Sequence, residues 1–421
     1  MSTRDINLFT PRGRVSKSSR RPDSRPVLHR ARLVAPISQP AIEDGAVVAA
    51  DGVILDVGPF QQVRRQWLEA PARDHGETVL LPALVNGHAH LDLSGLAGQV
   101  QAEDGMAEWI RSLLTARDQL SENQLEQARL QSLASLYAFG TGIVGDIDSS
   151  ATFTGEDSDG TLVIRTFVEL FGLQTESLEN AMDRLPQPAR RILANGQEDV
   201  SLAVHAPYTA SASLLRQAKE WTSERGKIVS VHAAESEEEV LFLRTGEGPL
   251  RDLLEERGME PGRWQPPGCG AVTYLDQLGF LDSLSLCVHV VHVSQEEIQL
   301  LQRFQVGVCL CPRSNLFIGN GLPPVRQLLD AGVPCALGTD SLASNADLNL
   351  FEEMTVLVDQ CGIGPDVVLA MATFHGARNL GMASHYGSLD KGKRWLAIRV
   401  TARDIESVIA AGCQGALEWL I

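Results

Sequence analysis

Short apolar runs alternate with amphipathic segments through the middle of the chain. Eight runs rich in aliphatic and β-branched residues predict strands, which cover 79–88, 141–147, 162–171, 200–206, 228–234, 285–292, 306–311 and 334–339. Each run precedes a loop or a segment with helical spacing of apolar residues, and eight such units are the element count of a (β/α)8 barrel. The pattern therefore predicts an α/β fold with a TIM-like barrel over residues 81–385.

The two ends of the chain have a different pattern. Residues 26–80 contain short apolar runs separated by turn residues, with Asp51-Gly52 as a hairpin signal, and residues 386–421 again mix turns with short apolar segments. We expect both termini to build one small β domain. Two long insertions, 103–139 and 236–281, are expected to form substrate walls on the catalytic face.

Composition and charge indicate which partners and which cellular compartment to expect. A net charge of −17 over 421 residues argues against nucleic acid or anionic membrane as a partner. No apolar run approaches the roughly 20 residues of a membrane span. Residues 1–25 are basic without an apolar segment, which predicts a disordered N-terminal arm rather than a secretory signal. The seven cysteines include no C-x-x-C pair, which favours reduced thiols in a cytoplasmic protein.

Metal-binding residue types stand at the ends of the predicted strands. His88 and His90 are two residues apart, so both side chains point to one face of a strand. His232 ends the fifth predicted strand and Asp340 follows the eighth. Neutral imidazoles with one carboxylate favour Zn²⁺, with Fe²⁺ as the alternative, and leave a position for water.

Five segments together resemble the amidohydrolase superfamily, and within it the branch of S-adenosylhomocysteine, methylthioadenosine and aminofutalosine deaminases, guanine deaminase and triazine chlorohydrolases. The resemblance covers about residues 26–400 and rests on the segments 81–90, 232–235, 315–321, 338–345 and 348–354. It implies a distorted (β/α)8 barrel, a small β-sandwich domain from both termini, and one divalent metal. The bridging lysine usual in binuclear members is missing from the end of strand four, which favours a mononuclear site.

The resemblance also implies roles for individual residues. The metal ligands would be His88, His90, His232 and Asp340, and a metal-activated water would attack an electron-poor ring carbon. The implied catalytic residues are Glu235 as the proton shuttle to the ring, His289 as the group that orients the nucleophile, and Asp340 as the acceptor of the water proton. The neighbouring His292 is the weaker alternative to His289.

Three residues are candidates for substrate binding. His205 resembles the substrate-binding histidine of the branch, although a buried imidazole that holds its loop is the alternative. Trp109 is expected to form an aromatic wall or to pack in the core. Glu169 is expected to bind a ribose hydroxyl or to be a structural polar residue.

The expected function is hydrolytic deamination of an adenine nucleoside derivative of the aminofutalosine, methylthioadenosine or S-adenosylhomocysteine type. A triazine chlorohydrolase and a guanine or cytosine deaminase are the alternatives on the same site. A binding protein without activity is disfavoured because every ligand and Glu235 are present. The expected partner is a small molecule, and the expected assembly is a homodimer. The candidate arginines for binding a substrate carboxylate are Arg111, Arg117, Arg165 and Arg244.

Overall fold

A computed structural model describes residues 25–101, 105–148, 155–156, 162–259 and 264–420. The predicted N-terminal arm lies outside these residues except for Arg25. The strands of the described residues are β1 (Val27–Val34), β2 (Ile42–Ala50), β3 (Val53–Pro59), β4 (Ala72–Asp74), β5 (Val79–Pro82), β6 (Leu84–Ala89), β7 (Thr141–Ile147), β8 (Gly155–Glu156), β9 (Val163–Leu170), β10 (Val200–Val204), β11 (Val229–Ala233), β12 (Ser285–His289), β13 (Gly307–Leu310), β14 (Cys335–Leu337), β15 (Ala397–Val400) and β16 (Leu417–Leu420).

Helices follow most of the central strands. They are α1 (Phe60–Gln66), α2 (Met106–Arg117), α3 (Glu122–Ala138), α4 (Leu178–Asp183), α5 (Gln187–Ala194), α6 (Ala212–Ser223), α7 (Glu237–Thr245), α8 (Pro249–Glu256), α9 (Ala271–Gln277), α10 (Gln295–Arg303), α11 (Pro312–Ile318), α12 (Val325–Asp330), α13 (Leu350–Cys361), α14 (Pro365–Ala370), α15 (Gly376–Asn379) and α16 (Ile405–Cys413). A 3-10 helix spans Leu91–Leu96 and a π-helical turn spans Met371–His375.

Eight parallel strands form a barrel, as the sequence predicts. The strand order is β6, β7, β9, β10, β11, β12, β13 and β14. The two edge strands meet where Ala89 and Asp340 form a parallel bridge. The backbone N–H groups of Thr339 and Asp340 both donate to the carbonyl oxygen of His88 at 3.1 Å. This closure brings the ends of the first and last strands side by side.

The single strand predicted over residues 79–88 is wrong, because the structure contains two strands there. β5 pairs with β1 and β15 in a separate sheet, whereas β6 is a barrel strand. Pro82 ends β5, and its missing N–H prevents the ladder from continuing. The chain therefore crosses from one sheet to the other within two residues.

The second sheet joins the two ends of the chain. Its order is β16, β15, β5, β1, β2 and β3, with β4 also paired to β1. Its buried face includes side chains from both termini: Ala31, Val47, Leu80, Ala397 and Leu420. The domain boundaries near residues 80 and 386 stay predictions. No helix of the described residues is long and apolar enough to cross a membrane.

The two insertions become helices beside the open end of the barrel. The first contains α2 and α3, and the second contains α7, α8 and α9. Arg111 on α2 binds Glu256 on α8 through two hydrogen bonds of 2.8 and 3.0 Å. The two insertions therefore contact each other above the strand ends, where residues of both line a cavity.

Candidate active site

Three histidines converge at the carboxyl ends of β6 and β11. His88 and His90 share a face of the chain, and their Nε2 atoms lie 3.2 and 3.4 Å from Nε2 of His232. Burial lowers the pKa of both His88 and His232 well below the ordinary value. Neutral imidazoles whose ring nitrogens face one another at such short distances present lone pairs to a common point, which suits a cation.

Asp340 adds a carboxylate to this group. Its Oδ1 lies 3.7 Å from Nε2 of His88 and 3.8 Å from Nε2 of His90. Its Oδ2 accepts hydrogen bonds from the hydroxyls of Ser314 at 2.5 Å and Ser344 at 3.2 Å. Burial opposes ionisation, but the neighbouring imidazoles and the Ser314 hydroxyl lower the pKa of Asp340 to about 2. The group is therefore a carboxylate at neutral pH.

The backbone around these residues departs from ordinary strand geometry. Ala234, His289, Val290 and Asp340 have φ values of 55°, 74°, 51° and 58°. This left-handed region is uncommon for residues other than glycine, and such conformations concentrate at functional sites. All four residues stand at the ends of β11, β12 and β14, where the turn out of the strand aims side chains into the barrel mouth.

Glu235 and His289 face each other beside the histidine cluster. Nε2 of His289 lies 3.6 Å from Oε2 of Glu235, and Nδ1 of His289 donates to Oδ1 of Asn315 at 2.9 Å. Burial, and then the charges of Asp340 and Glu239, raise the pKa of Glu235 well above its ordinary value. A protonated carboxyl group at this position is able to donate a proton to a bound ligand.

The other histidine of the pair lies apart from this arrangement. His292 does not line the cavity, and among the described residues its Nε2 is buried without a hydrogen-bond partner. The structure thus places the side chain of His289, and not that of His292, in the cavity that Glu235 also lines. The role of each histidine stays a prediction.

The three substrate-binding candidates all line one cavity of about 270 Å³ above the histidines. His205 interacts through Nδ1 with Oγ1 of Thr209 at 2.8 Å, and the ring of Phe171 stacks on it at 4.7 Å. Trp109 donates through Nε1 to the carbonyl of Ala343 at 3.4 Å. The aromatic wall therefore comes from Phe171 as well as from Trp109.

Glu169 is a buried acid that faces the same cavity. It is 8% exposed, and among the described residues its Oε1 has no hydrogen-bond partner. Burial, followed by the nearby charge of Asp92, raises the pKa of Glu169 well above its ordinary value. Oδ1 of Asp92 is also buried without a partner among the described residues. Two acceptors without donors lining a cavity are typical of ligand recognition.

Sequence reasoning missed several residues of the cavity. Asp92 was detectable, because it lies two residues after the histidine pair, whereas Phe171 and Tyr208 have no sequence feature that separates them from ordinary core residues. Arg257 lines the rim and was not among the arginine candidates. Of those candidates only Arg117 lines the cavity, whereas Arg111 is bound to Glu256 and Arg165 to the carbonyl oxygen of Glu198.

The donor set fits a divalent metal. Ligand atoms of His88, His90 and Asp340 lie within 4.8 Å of one another, as do those of His88, His232 and His289. Nitrogen and carboxylate donors from three strand ends, open toward a cavity on one side, match a catalytic rather than a closed structural site.

The sequence and fold of this chain match known proteins. Residues 79–413 match the amidohydrolase family. The aminodeoxyfutalosine deaminase of Deinococcus radiodurans is 32% identical over 374 residues, which are 83% of this chain and 84% of that protein. The 5-methylthioadenosine/S-adenosylhomocysteine deaminase of Moorella thermoacetica is 29% identical over 384 residues, which are 88% of this chain and 84% of that protein.

Two solved structures share the fold. The aminofutalosine deaminase of Helicobacter pylori in complex with methylthio-coformycin has a TM-score of 0.81 and 22% identity, covering 93% of this chain and 97% of that one. The zinc complex of atrazine chlorohydrolase from Arthrobacter aurescens has a TM-score of 0.71 and 18% identity, covering 89% and 87%. The family and the donor set together give this protein a divalent metal as cofactor and a small molecule as substrate. The chain belongs to the amidohydrolase family and is a hydrolase of carbon–nitrogen bonds.

Proposed function

We propose that the protein deaminates an adenine nucleoside that carries a 5′ substituent, of the aminofutalosine, methylthioadenosine or S-adenosylhomocysteine type. The observation that carries the proposal is the position of Glu235, a buried acid with a raised pKa, opposite His289 and beside the metal-binding histidines. The names of the relatives from Deinococcus and Moorella support the same substrate class.

The proposed ligands of the metal are His88, His90, His232 and Asp340, and the proposed metal is Zn²⁺, with Fe²⁺ as the alternative. A metal of this kind, when bound, lowers the pKa of a water molecule so that the water becomes a nucleophile at neutral pH. Two nitrogens from the end of β6, one from β11 and an oxygen after β14 would hold the metal, and His90, His232 and Asp340 of this set line the cavity.

Glu235 is the proposed acid. Because burial raises its pKa, it keeps its proton to higher pH than an ordinary carboxyl group and is able to deliver it to N1 of the purine as the ring carbon is attacked. Its backbone N–H donates to Oε2 of Glu239 at 2.7 Å, which fixes the peptide that carries it. The acid therefore meets the ring from a defined direction.

His289 orients the attacking water, and Asp340 accepts its proton. The bond from Nδ1 of His289 to Asn315 leaves Nε2 as an acceptor that faces the cavity, so the ring orients the water. Asp340 is ionised, so it accepts the proton of the water and passes it to the departing ammonia. The serine bonds to its Oδ2 leave Oδ1 as the reacting oxygen.

The rest of the nucleoside occupies the cavity. His205 and Trp109 are the proposed contacts of the base and its substituent, and Glu169 is the proposed contact of the ribose. The outer wall is mostly apolar and comes from the insertions: Met106, Ile110, Leu113, Leu253 and Met259. An apolar wall of this kind favours a 5′ group with apolar or aromatic surface over a phosphate.

A turnover panel tests this function. Ammonia release should be measured with adenosine, 5′-methylthioadenosine, S-adenosylhomocysteine, aminofutalosine, guanine and cytosine, and chloride release with a chlorotriazine. We expect the highest kcat/KM with a 5′-substituted adenosine. A higher value for a free base or for the triazine would reject the nucleoside proposal, while a Glu235→Gln control separates enzymatic release from contamination.

A further inference from the structure

The loop that follows His90 rests on helix α3 of the first insertion. Ser121 begins this helix with a capping box that includes Gln124. Leu133 and Leu136 on its buried face pack in one cluster with Leu91, the residue after His90. An insertion outside the barrel wall thus reaches the residue next to a metal-binding histidine.

Arg129, on the same helix, is linked to the backbone beside His90 through hydrogen bonds. Its side chain is 5% exposed, and Nη2 donates to Oδ2 of Asp146 at 3.1 Å and also to the carboxylate of Asp148. Oδ1 of Asp146 accepts the backbone N–H of Leu91 at 3.1 Å. The peptide that joins His90 to Leu91 is therefore the end of a hydrogen-bonded chain that starts at Arg129.

A second bond ties the same helix to the same loop. Oγ of Ser132 donates to Oγ of Ser94 at 2.8 Å, and both side chains are buried. Asp146 itself stands near the end of β7, paired with Ala89 of β6. The backbone on each side of His90 is thus held by β7 and by α3.

We propose that Arg129 and Asp146 are positioning residues that set the metal affinity of the site by fixing the backbone at His90. The inference rests on the metal site and not on the identity of the substrate. Partners that orient metal ligands commonly change metal affinity by about 10–100-fold when they are removed. Because the chain runs through the Leu91 amide, the effect should fall on His90 and leave the histidine from β11 in place.

Zinc affinity of the metal-free protein tests the proposal. The affinity should be measured by competition with a chromophoric chelator for the wild type, Arg129→Lys, Arg129→Gln and Ser132→Ala. We expect a loss of about 10–100-fold for Arg129→Gln, and a smaller loss for Arg129→Lys, which keeps the charge but not the planar guanidinium whose Nη2 donates to both carboxylates. Ser132→Ala should show the smallest loss of zinc affinity, because it removes only the hydrogen bond to Ser94.

A matched control is an arginine that is equally buried but far from the metal. Arg165 on β9 is 9% exposed and donates to the carbonyl of Glu198 at 2.6 Å, at the other end of the barrel. Arg165→Gln should lower the melting temperature without changing zinc affinity. Zinc affinity within twofold of the wild type in both Arg129→Gln and Arg129→Lys, or an equal loss in Arg165→Gln, would overturn the proposal even if deaminase activity is confirmed. Conversely, absence of deaminase activity would leave this measurement unaffected.

Discussion

Nε2 of His289 faces Oε2 of Glu235 across 3.6 Å at the mouth of the barrel. This separation is longer than a direct hydrogen bond, so both groups remain available to a ligand. One partner is an imidazole whose Nδ1 is already engaged by Asn315, and the other is a buried acid with a raised pKa. The pair therefore offers a proton acceptor and a proton donor on the same side of the cavity.

The acid of this pair should be indispensable. Glu235→Gln should fold and retain metal, but kcat should fall by about 10²–10⁴-fold or more, because the amide cannot donate a carboxyl proton to the ring. Steady-state kinetics with elemental analysis of the same sample measures both quantities. Glu237→Gln, two residues further along the chain, is the control and should behave as the wild type. A metal-replete Glu235→Gln enzyme with normal kcat would remove Glu235 from the mechanism.

His289 at the end of β12 and His292 three residues later should differ in their effect on kcat. His289→Asn should lower kcat strongly while metal content is kept, since the imidazole acts on the water and not as a primary ligand. His292→Asn should have a milder effect, because this residue does not line the cavity. The ratio of the two kcat values at saturating metal decides between them. A stronger effect of His292→Asn would reverse the assignment.

The protein should contain one equivalent of Zn²⁺ or Fe²⁺ per chain. Elemental analysis of the purified protein measures it, and His88→Ala should lose the metal because it removes the most buried ligand of the set. Two equivalents would contradict the mononuclear arrangement. Chelation should also lower the melting temperature, since a ligand that binds only the folded state stabilises it.

Local spacing explains which parts of this site were predictable. The alternation of His88 and His90 and the strand-end positions of His232 and Asp340 follow from the pattern of nearby residues alone. The contacts of Arg129 with Asp146 and of Phe171 with His205 depend on how distant elements pack, and neither pair has a short-range signature. The break between β5 and β6 was predictable, because Pro82 interrupts an apolar run, but the sheet to which each strand belongs was not.

The raised pKa of Glu235 should affect the pH dependence of both the reaction rate and the stability of the fold. The folded pKa of Glu235 is raised above its unfolded value, so kcat/KM should fall as pH rises through that folded pKa, when the proton of the acid is lost. By linkage, the proton on this buried acid stabilises the fold at low pH, and the stabilisation is lost as pH rises through the same pKa. Metal-free Glu235→Gln should therefore melt increasingly above the wild type toward alkaline pH. A difference in melting temperature that does not change with pH would contradict the raised pKa.

The carboxyl groups of Glu169 and Asp92, which each have a buried oxygen without a hydrogen-bond partner among the described residues, should recognise the sugar of the substrate. Glu169→Gln should lower kcat/KM for a ribonucleoside by about 5-fold, which corresponds to the loss of one hydrogen bond worth about 1 kcal/mol. The loss should appear mainly in KM, because a sugar hydroxyl is bound equally in the ground state and in the transition state. A 2′-deoxy or 3′-deoxy analogue should be a poor substrate of the wild type and should lose little further in Glu169→Gln, since the hydroxyl and its acceptor act as a pair. Asp92→Asn, tested with the same analogues, shows which hydroxyl each acid binds. Equal kcat/KM for ribo and deoxy substrates in the wild type would show that these carboxyl groups do not recognise the sugar, while leaving the deaminase assignment intact.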